Sequence, residues 1–388
     1  MRILYLSTPF FADCDFPLIK ALQNSGHDVT YLIMLNPYSL KTTLFDINKQ
    51  IPENAIVPAV RYPELRVFKS YMDMDNVYVA NRTVKQDLHP LALLMTLKII
   101  SFISKGKFDV VHTDCMLGMY NLMLYKLFGN KIVLTVHDPF PHTGEVNARK
   151  TFNYKMAMRW VKHFVLLNQK QKDEFCKKYN LNPNRILVNR LGIYDNILRF
   201  AKPLCRHEDH KLHDVLFFGR ISPYKGVEYL CHAMDKVREV VPDATLTIAG
   251  GGKMYFDISP YMSQDWVCVH NRYIGLEELA DLLQNCAITV CPYTDATQSG
   301  VIMTSYAMCR PVVASNAGGL GEMVEDGKTG LLVSPKNIDE LADAIISLLK
   351  DNVRRQKMQE YIESEYFEGA KSWKAIANKY VKYYNSFY

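Results

Sequence analysis

Seven residues, Arg220, Ile221, Ser222, Pro223, Tyr224, Lys225 and Gly226, follow the apolar run VLFFG and precede a helical stretch. Two cations therefore share one short loop at the carboxyl end of a predicted strand. A guanidinium offers a planar fork and an ammonium a mobile point charge, a pairing that suits a diphosphate. Gly226 permits a tight entry into the helix. Two solvated surface cations would show the same spacing. A second loop, Thr294, Asp295, Ala296, Thr297, Gln298, Ser299 and Gly300, follows AITVCPY and leads into VIMTSYAMC. A Ser-Gly step at a helix start leaves backbone N–H groups for an anion. Ser299 as a plain N-cap is the competing reading. Ala317, Gly318, Gly319 and Leu320 form a third loop, where the backbone either approaches a ligand or only turns. A fourth follows KIVLTV: His137, Asp138, Pro139, Phe140, Pro141, His142, Thr143, Gly144 and Glu145. A lone histidine is more often structural, but titratable groups crowded at a strand end are site candidates.

These loops need strands to carry them. In open parallel sheets, ligands bind beyond the carboxyl ends of the strands. RILYLST, DVTYLIML, FDVVHTD, KIVLTVHD and HFVLLN alternate with helical stretches, and ILVNRLGIYD closes the series near residue 195. Such alternation predicts an α/β unit with a parallel sheet covered on both faces. Residues 199–213 (RFAKPLCRHEDHKLH) are polar and read as a linker. The rhythm restarts with VLFFGR, ATLTIAGGG, VCVHNRYI, AITVCPY and PVVASNAGG. The expected division is a first domain over 1–198, a linker over 199–213, a second domain over 214–367 and a terminal helix over 368–388.

Composition sets the class. The 388 residues are 48% hydrophobic and 22% charged, which is ordinary for a globular chain of more than one domain. The net charge of +6 comes without a dense Lys/Arg block, so nucleic acid is not an expected partner. Nine cysteines without a Cys-x-x-Cys pair point to a reducing, cytoplasmic setting. Residues 1–6 read as a buried strand rather than a signal peptide. Residues 91–107 (LALLMTLKIISFISKGK) read as a core-facing helix, with peripheral membrane contact as the alternative.

The motifs together resemble the retaining glycosyltransferases of family four, whose GT-B fold has two facing Rossmann-like domains. GRISPYKGVEYL, HNRYIGLEELADLLQNCAITVCPYTDATQSGV, RPVVASNAGGLGEMVEDGKTGLLV, LQNSGHDV and LTVHDPFPHTGE carry the resemblance over nearly the whole chain. It implies a nucleotide-sugar donor of UDP or GDP type, a saccharide or lipid-linked saccharide acceptor, and no cofactor or metal. It also implies roles. Arg220 and Lys225 would bind the donor diphosphate, with Ser299 and Gly300 adding contacts. His137 would lie near the transferred sugar. Tyr273 and Ile274 would pass the nucleobase, while Gly319 and Leu320 would border the sugar. The terminal helix, with Trp373, Tyr380, Tyr383 and Tyr384, would pack back on the first domain. Many relatives carry two glutamates where this chain has Ala296 and Thr304, so those carboxylate contacts do not carry over. Asp295, Gln298, Thr304 and Glu322 remain donor-side candidates. The loop Ser7-Thr8-Pro9-Phe10-Phe11 lacks the usual Gly-Gly step, which makes the acceptor side distinctive.

Two Asp-x-Asp triplets, Asp13-Cys14-Asp15 and Asp73-Met74-Asp75, have metal-binding spacing but sit away from the phosphate loops. His207, His210 and His213 read as solvated linker histidines. A nucleotide-sugar epimerase or phosphorylase on the same fold, or a non-catalytic nucleotide-sugar-binding subunit, are the competing functions.

Overall fold

Near-continuous apolar runs such as ILYL and VTYLIML need cover on both faces, which a parallel sheet between helices provides. The computed structural model describes residues 1–140, 148–201 and 213–387. They divide into two units, Met1–Leu191 with Trp373–Tyr388, and Gly192–Ser372.

The first unit holds β1 (Arg2–Ser7), β2 (Asp28–Leu35), β3 (Ala55–Pro58), β4 (Val77–Asn81), β5 (Val110–Thr113), β6 (Ile132–Val136), β7 (His163–Leu166) and β8 (Ile186–Val188). Their order in the sheet is β3-β4-β2-β1-β5-β6-β7-β8. Only β3 runs antiparallel to its neighbour. β3 and β4 are short, separated by the 3-10 turns Ala59–Arg61 and Val67–Ser70, and the sequence rhythm does not announce them. From β1 the chain steps outward through β2 and β4, then returns to lay β5 on the other side of β1. The carboxyl ends of β1 and β5 therefore form a topological switch point, where such sheets bind ligands.

The second unit is all parallel, with β9 (Asp214–Phe218), β10 (Thr245–Ala249), β11 (Val267–His270), β12 (Ile288–Cys291), β13 (Val312–Ser315) and β14 (Gly330–Val333). The order β11-β10-β9-β12-β13-β14 places its switch point between β9 and β12.

The structural division differs from the sequence boundaries at 198 and 368. Residues from Gly192 onward join the second unit, where the Tyr194 N–H donates to the Met303 carbonyl at 3.3 Å. Residues 202–212 of the linker, with His207 and His210, lie outside the described residues, as do residues 141–147 after His137. His213 lies 2.7 Å from Asp243. The helix Trp373–Asn385 belongs to the first unit and buries Ile376, Ala377, Tyr380 and Tyr384. The Tyr384 hydroxyl is bonded to His112 Nδ1, and Thr135 Oγ1 meets the other ring nitrogen at 2.7 Å. Burial pushes the His112 imidazole down to about 3, so it packs as a neutral ring.

The helix Pro90–Gly106 buries Ala92, Met95, Thr96, Ile99 and Ile103 and leaves Leu94 and Leu97 exposed. No helix among the described residues is long and apolar enough to cross a membrane.

Candidate active-site residues in the two units

The loop Gly219–Gly226 leaves β9 and the loop Pro292–Ser299 leaves β12, so both stand at the second sheet's switch point. A 3-10 turn, Pro223–Lys225, presents the lysine, and Gly226 ends it at φ +66°. A Cβ on Gly226 would stand 2.0 Å from the Pro292 carbonyl oxygen, so only glycine lets the two loops touch. The Thr294 N–H then donates to the Tyr224 carbonyl at 2.8 Å. Lys225 Nζ sits 3.7 Å from the centre of the buried Tyr293 ring, a favourable cation–π distance. Burial, with the Arg220 charge adding to it and Cys291 opposing, pushes the Lys225 amine down to about 8. Arg220 is exposed and donates to the Tyr224 hydroxyl at 3.4 Å.

Ser299 is the N-cap of the helix Gly300–Ala307, but its side chain makes no capping bond. Its buried hydroxyl donates instead to the Tyr293 hydroxyl at 3.4 Å. The first-turn amides thus lack a side-chain cap, which keeps the positive helix end open to an anion. The Thr304 hydroxyl is buried and donates to the Gly300 carbonyl at 2.9 Å. Ala296 is buried too, and its carbonyl accepts the Gly319 N–H at 2.9 Å. That bond fastens the third loop to the second. Leu320 is buried; Asp295, Tyr273 and Glu322 are exposed; Ile274 and Gln298 are half-buried.

One part of this region escapes the sequence reading. Gly250, Gly251 and Gly252 follow β10, and the Ile221 N–H donates to the Gly251 carbonyl at 3.1 Å. A Cβ on Gly250 would meet the Gly219 carbonyl oxygen at 2.0 Å. The loop behind Arg220 rests on this glycine step, and the Gly251 α-carbon faces the Tyr273 backbone. Three glycines directly after a predicted strand were the available signal.

In the first unit His137 follows β6, and the Phe11 ring stacks on it at 4.5 Å. Its Nε2 lies 3.8 Å from Oδ2 of the buried Asp114, at the end of β5. Ser7, at the end of β1, donates to Asp114 Oδ1 at 2.5 Å. Asp15 is fully buried beside them and accepts from the Tyr31 hydroxyl at 2.8 Å. Burial, then the Asp114 charge, raises Asp15 far above the ordinary carboxylate value. Burial also works against the Asp114 charge, but the neighbouring Asp15, the His137 imidazole and the Ser7 hydroxyl outweigh it and hold that carboxyl low. The shifts run in opposite directions, so Asp15 holds a proton more readily than Asp114.

This use of Asp15 gives the first Asp-x-Asp triplet a structural partner set. The Asp73 carboxylate accepts the Asp75 N–H at 2.9 Å in an exposed turn. Cys14, Asp114 and His137 each bring one potential ligand atom within 4.8 Å of the others. Burial raises the Cys14 thiol, and it donates to the Phe11 carbonyl at 3.1 Å, whereas Asp114 Oδ2 is buried without a hydrogen-bond partner among the described residues.

Two α/β units, each with its loops at a sheet switch point, define the class: GT-B. Similarity to solved structures agrees. An Anabaena protein, HepE, solved with UDP and glucose, matches with a TM-score of 0.69 at 17% identity over 100% of both chains. The catalytic domain of starch synthase IV from Arabidopsis thaliana, solved with ADP and acarbose, matches with a TM-score of 0.69 at 13% identity over 100% of this chain and 99% of that one. A family model described as Glycosyltransferase Family 4 matches residues 17–195, and one described as Glycosyl transferases group 1 matches residues 213–351. An uncharacterized glycosyltransferase of Methanocaldococcus jannaschii is 25% identical over 308 residues, 74% of this chain and 77% of the relative. A glycogen synthase of Mycobacterium tuberculosis is 25% identical over 351 residues, 88% of this chain and 82% of the relative. The chain belongs to the family-4 glycosyltransferases.

Proposed function

We propose that this protein moves a sugar from a UDP- or GDP-type donor to a hydroxyl of a saccharide acceptor, with retention of configuration and without a metal ion. The products belong to polysaccharide or glycolipid biosynthesis. One observation carries the reading: Lys225 is half-buried, makes no ion pair among the described residues, and shares its loop with Arg220 at a sheet switch point. A buried ammonium with a lowered pKa gains most from an arriving anion. Relatives on this fold are solved with UDP and with ADP, which supports a nucleotide in that role.

When the sugar–phosphate bond breaks, negative charge grows on the departing nucleoside diphosphate. Fixed cations and free helix amides aimed at that charge lower the barrier most. Arg220, Lys225 and the start of the helix Gly300–Ala307 supply them, in the part a metal plays elsewhere. In the family's retaining chemistry the leaving phosphate takes the acceptor proton on the same face, and His137 contacts the transferred sugar. Peripheral contact with the inner face of a membrane, through exposed Leu94 and Leu97, completes the proposal for a lipid-linked acceptor.

A thermal-shift screen against UDP, GDP, ADP and their sugars tests the donor. One nucleotide family should raise the midpoint; no shift with any of them overturns the reading. Transfer should persist in excess chelator, and complete loss restored by magnesium rejects the metal-free step. Donor binding without any turnover would favour the non-catalytic binding subunit, to which Ala296 and Thr304 at the family's glutamate positions point.

A further inference from the structure

The switch point of the first sheet opens into a cavity of about 240 Å³, walled by the carboxyl ends of β4, β2, β1 and β5 and by the helix Pro90–Gly106. That is below the ~300–1,000 Å³ of sites for drug-sized ligands and suits one sugar ring or a head group of similar size. We propose that this cavity receives the acceptor, and that the bound part carries one anionic oxyacid group held by Arg82 and Arg149. The assignment to an acceptor rests on the glycosyltransferase reading above.

The charge balance points to an anion. Arg82 and Arg149 both line the cavity, and Asp87 is the one carboxylate among its described lining residues. Two positive charges face one negative. Arg82 donates to Asp87 Oδ1 at 2.7 Å, and Arg149 donates to Asp87 Oδ2. Each guanidinium has five N–H donors in a planar fork that matches phosphate or carboxylate. Asp87 takes one donor from each in these bonds, so it orients the forks without exhausting them. Burial opposes the Asp87 charge, but the bonds from Arg149 and then Arg82 hold its carboxyl below the ordinary value. It stays ionised and keeps both cations in place.

The amides in the wall suit hydroxyl groups. Asn153 Oδ1 is buried with no hydrogen-bond partner among the described residues, a deficit that a sugar hydroxyl can fill by donating. Asn121 Oδ1 accepts from Thr96 at 2.7 Å, while among the described residues its Nδ2 has the Met34 sulfur at 3.9 Å as its partner, a weak acceptor. That N–H₂ is placed to donate to a hydroxyl. A simple clip between the loop after β4 and the helix Ala148–Trp160 would account for the Arg82–Asp87–Arg149 bonds. It would not account for one amide lacking a donor and another lacking a good acceptor in the same wall.

The test uses the full chain and three probes: glucose 6-phosphate, glucuronate and glucose. Arg220→Ala/Lys225→Ala silences the diphosphate loop of the second unit, so anion binding by this variant reports the first unit. Calorimetry should show glucose 6-phosphate or glucuronate binding at least tenfold more tightly than glucose. Adding Arg149→Gln, at an exposed position where folding is not at stake, should remove that preference. The stronger of the two anions identifies phosphate or carboxylate as the group recognised. Equal binding of all three probes, or a preference untouched by Arg149→Gln, overturns the proposal. UDP binding by the otherwise unchanged chain is measured in parallel. Its absence alongside a retained anion preference sinks the donor reading and leaves the anionic cavity standing.

Discussion

At the second sheet's switch point, Arg220 and Lys225 bring positive charge to loops that glycine lets pack closely; at the first sheet's, Asp15 and Asp114 bury two neighbouring carboxyls beside His137. Both regions obey the same topological rule: Ser7, Asp114 and His137 in the first, and the loops of Arg220 and Lys225 in the second, stand at strand carboxyl ends. Their polar accounts differ. In the acid pair, Asp114 Oδ1 and Asp15 accept from Ser7 and Tyr31, while Asp114 Oδ2 is buried without a hydrogen-bond partner among the described residues. The lysine has an aromatic face and no ionic partner among the described residues. The first arrangement is acidic and mostly bonded within the protein, and the second is cationic and open to an anion.

The largest test of that contrast is Lys225→Ala. It should lower kcat/KM by about 10²–10³-fold and weaken nucleotide binding with it, measured by steady-state kinetics and calorimetry. A fall of less than tenfold would erase the distinction. Next, His137→Ala should lower turnover by about 10- to 100-fold while nucleotide affinity stays within about twofold. An equal loss of affinity would mean that the two sites do not divide the work as described.

The third test is pH. Free Lys225 titrates near 8, and a diphosphate binds its protonated form and raises its pKa. Affinity for UDP should therefore be level below that pH and fall by up to about tenfold per unit above it. Calorimetry at pH 8.5 in two buffers should show proton uptake on binding; none would place the amine away from the phosphates. The smallest effect belongs to Thr304→Val. Its hydroxyl serves the Gly300 carbonyl, so turnover should change by less than about threefold, in line with one modest hydrogen bond. A larger loss, seen in kinetics with the natural donor, would bring Thr304 back as a donor contact.

The second unit was the more legible in sequence because its signals are local. A strand, two cations and a glycine fall within one dozen-residue stretch, and a second strand ends in Ser-Gly before a helix. The tight loop contact at Gly226 follows from those spacings. In the first unit the informative contacts are distant: Ser7 and Asp114 are 107 residues apart, and Asp15 meets Tyr31 from a helix whose Asp-Cys-Asp spacing suggests a metal site. An aspartate ending FDVVHTD gives no hint that it faces His137. β3 and β4 were hidden by their shortness and the turns between them. The change of unit at Gly192 was hidden too, because ILVNRLGIYD runs past it without a polar break and only the Tyr194–Met303 bond shows which side it joins.

The return of the helix Trp373–Asn385 to the first unit sets an order for biosynthesis. All of Gly192–Ser372 must leave the ribosome before that helix can. At ~5–20 residues per second this is a wait of roughly ten to forty seconds. Throughout it His112 lacks Tyr384, and the face meant for Tyr380 stays wet. The second unit can finish folding first, although its sequence comes later.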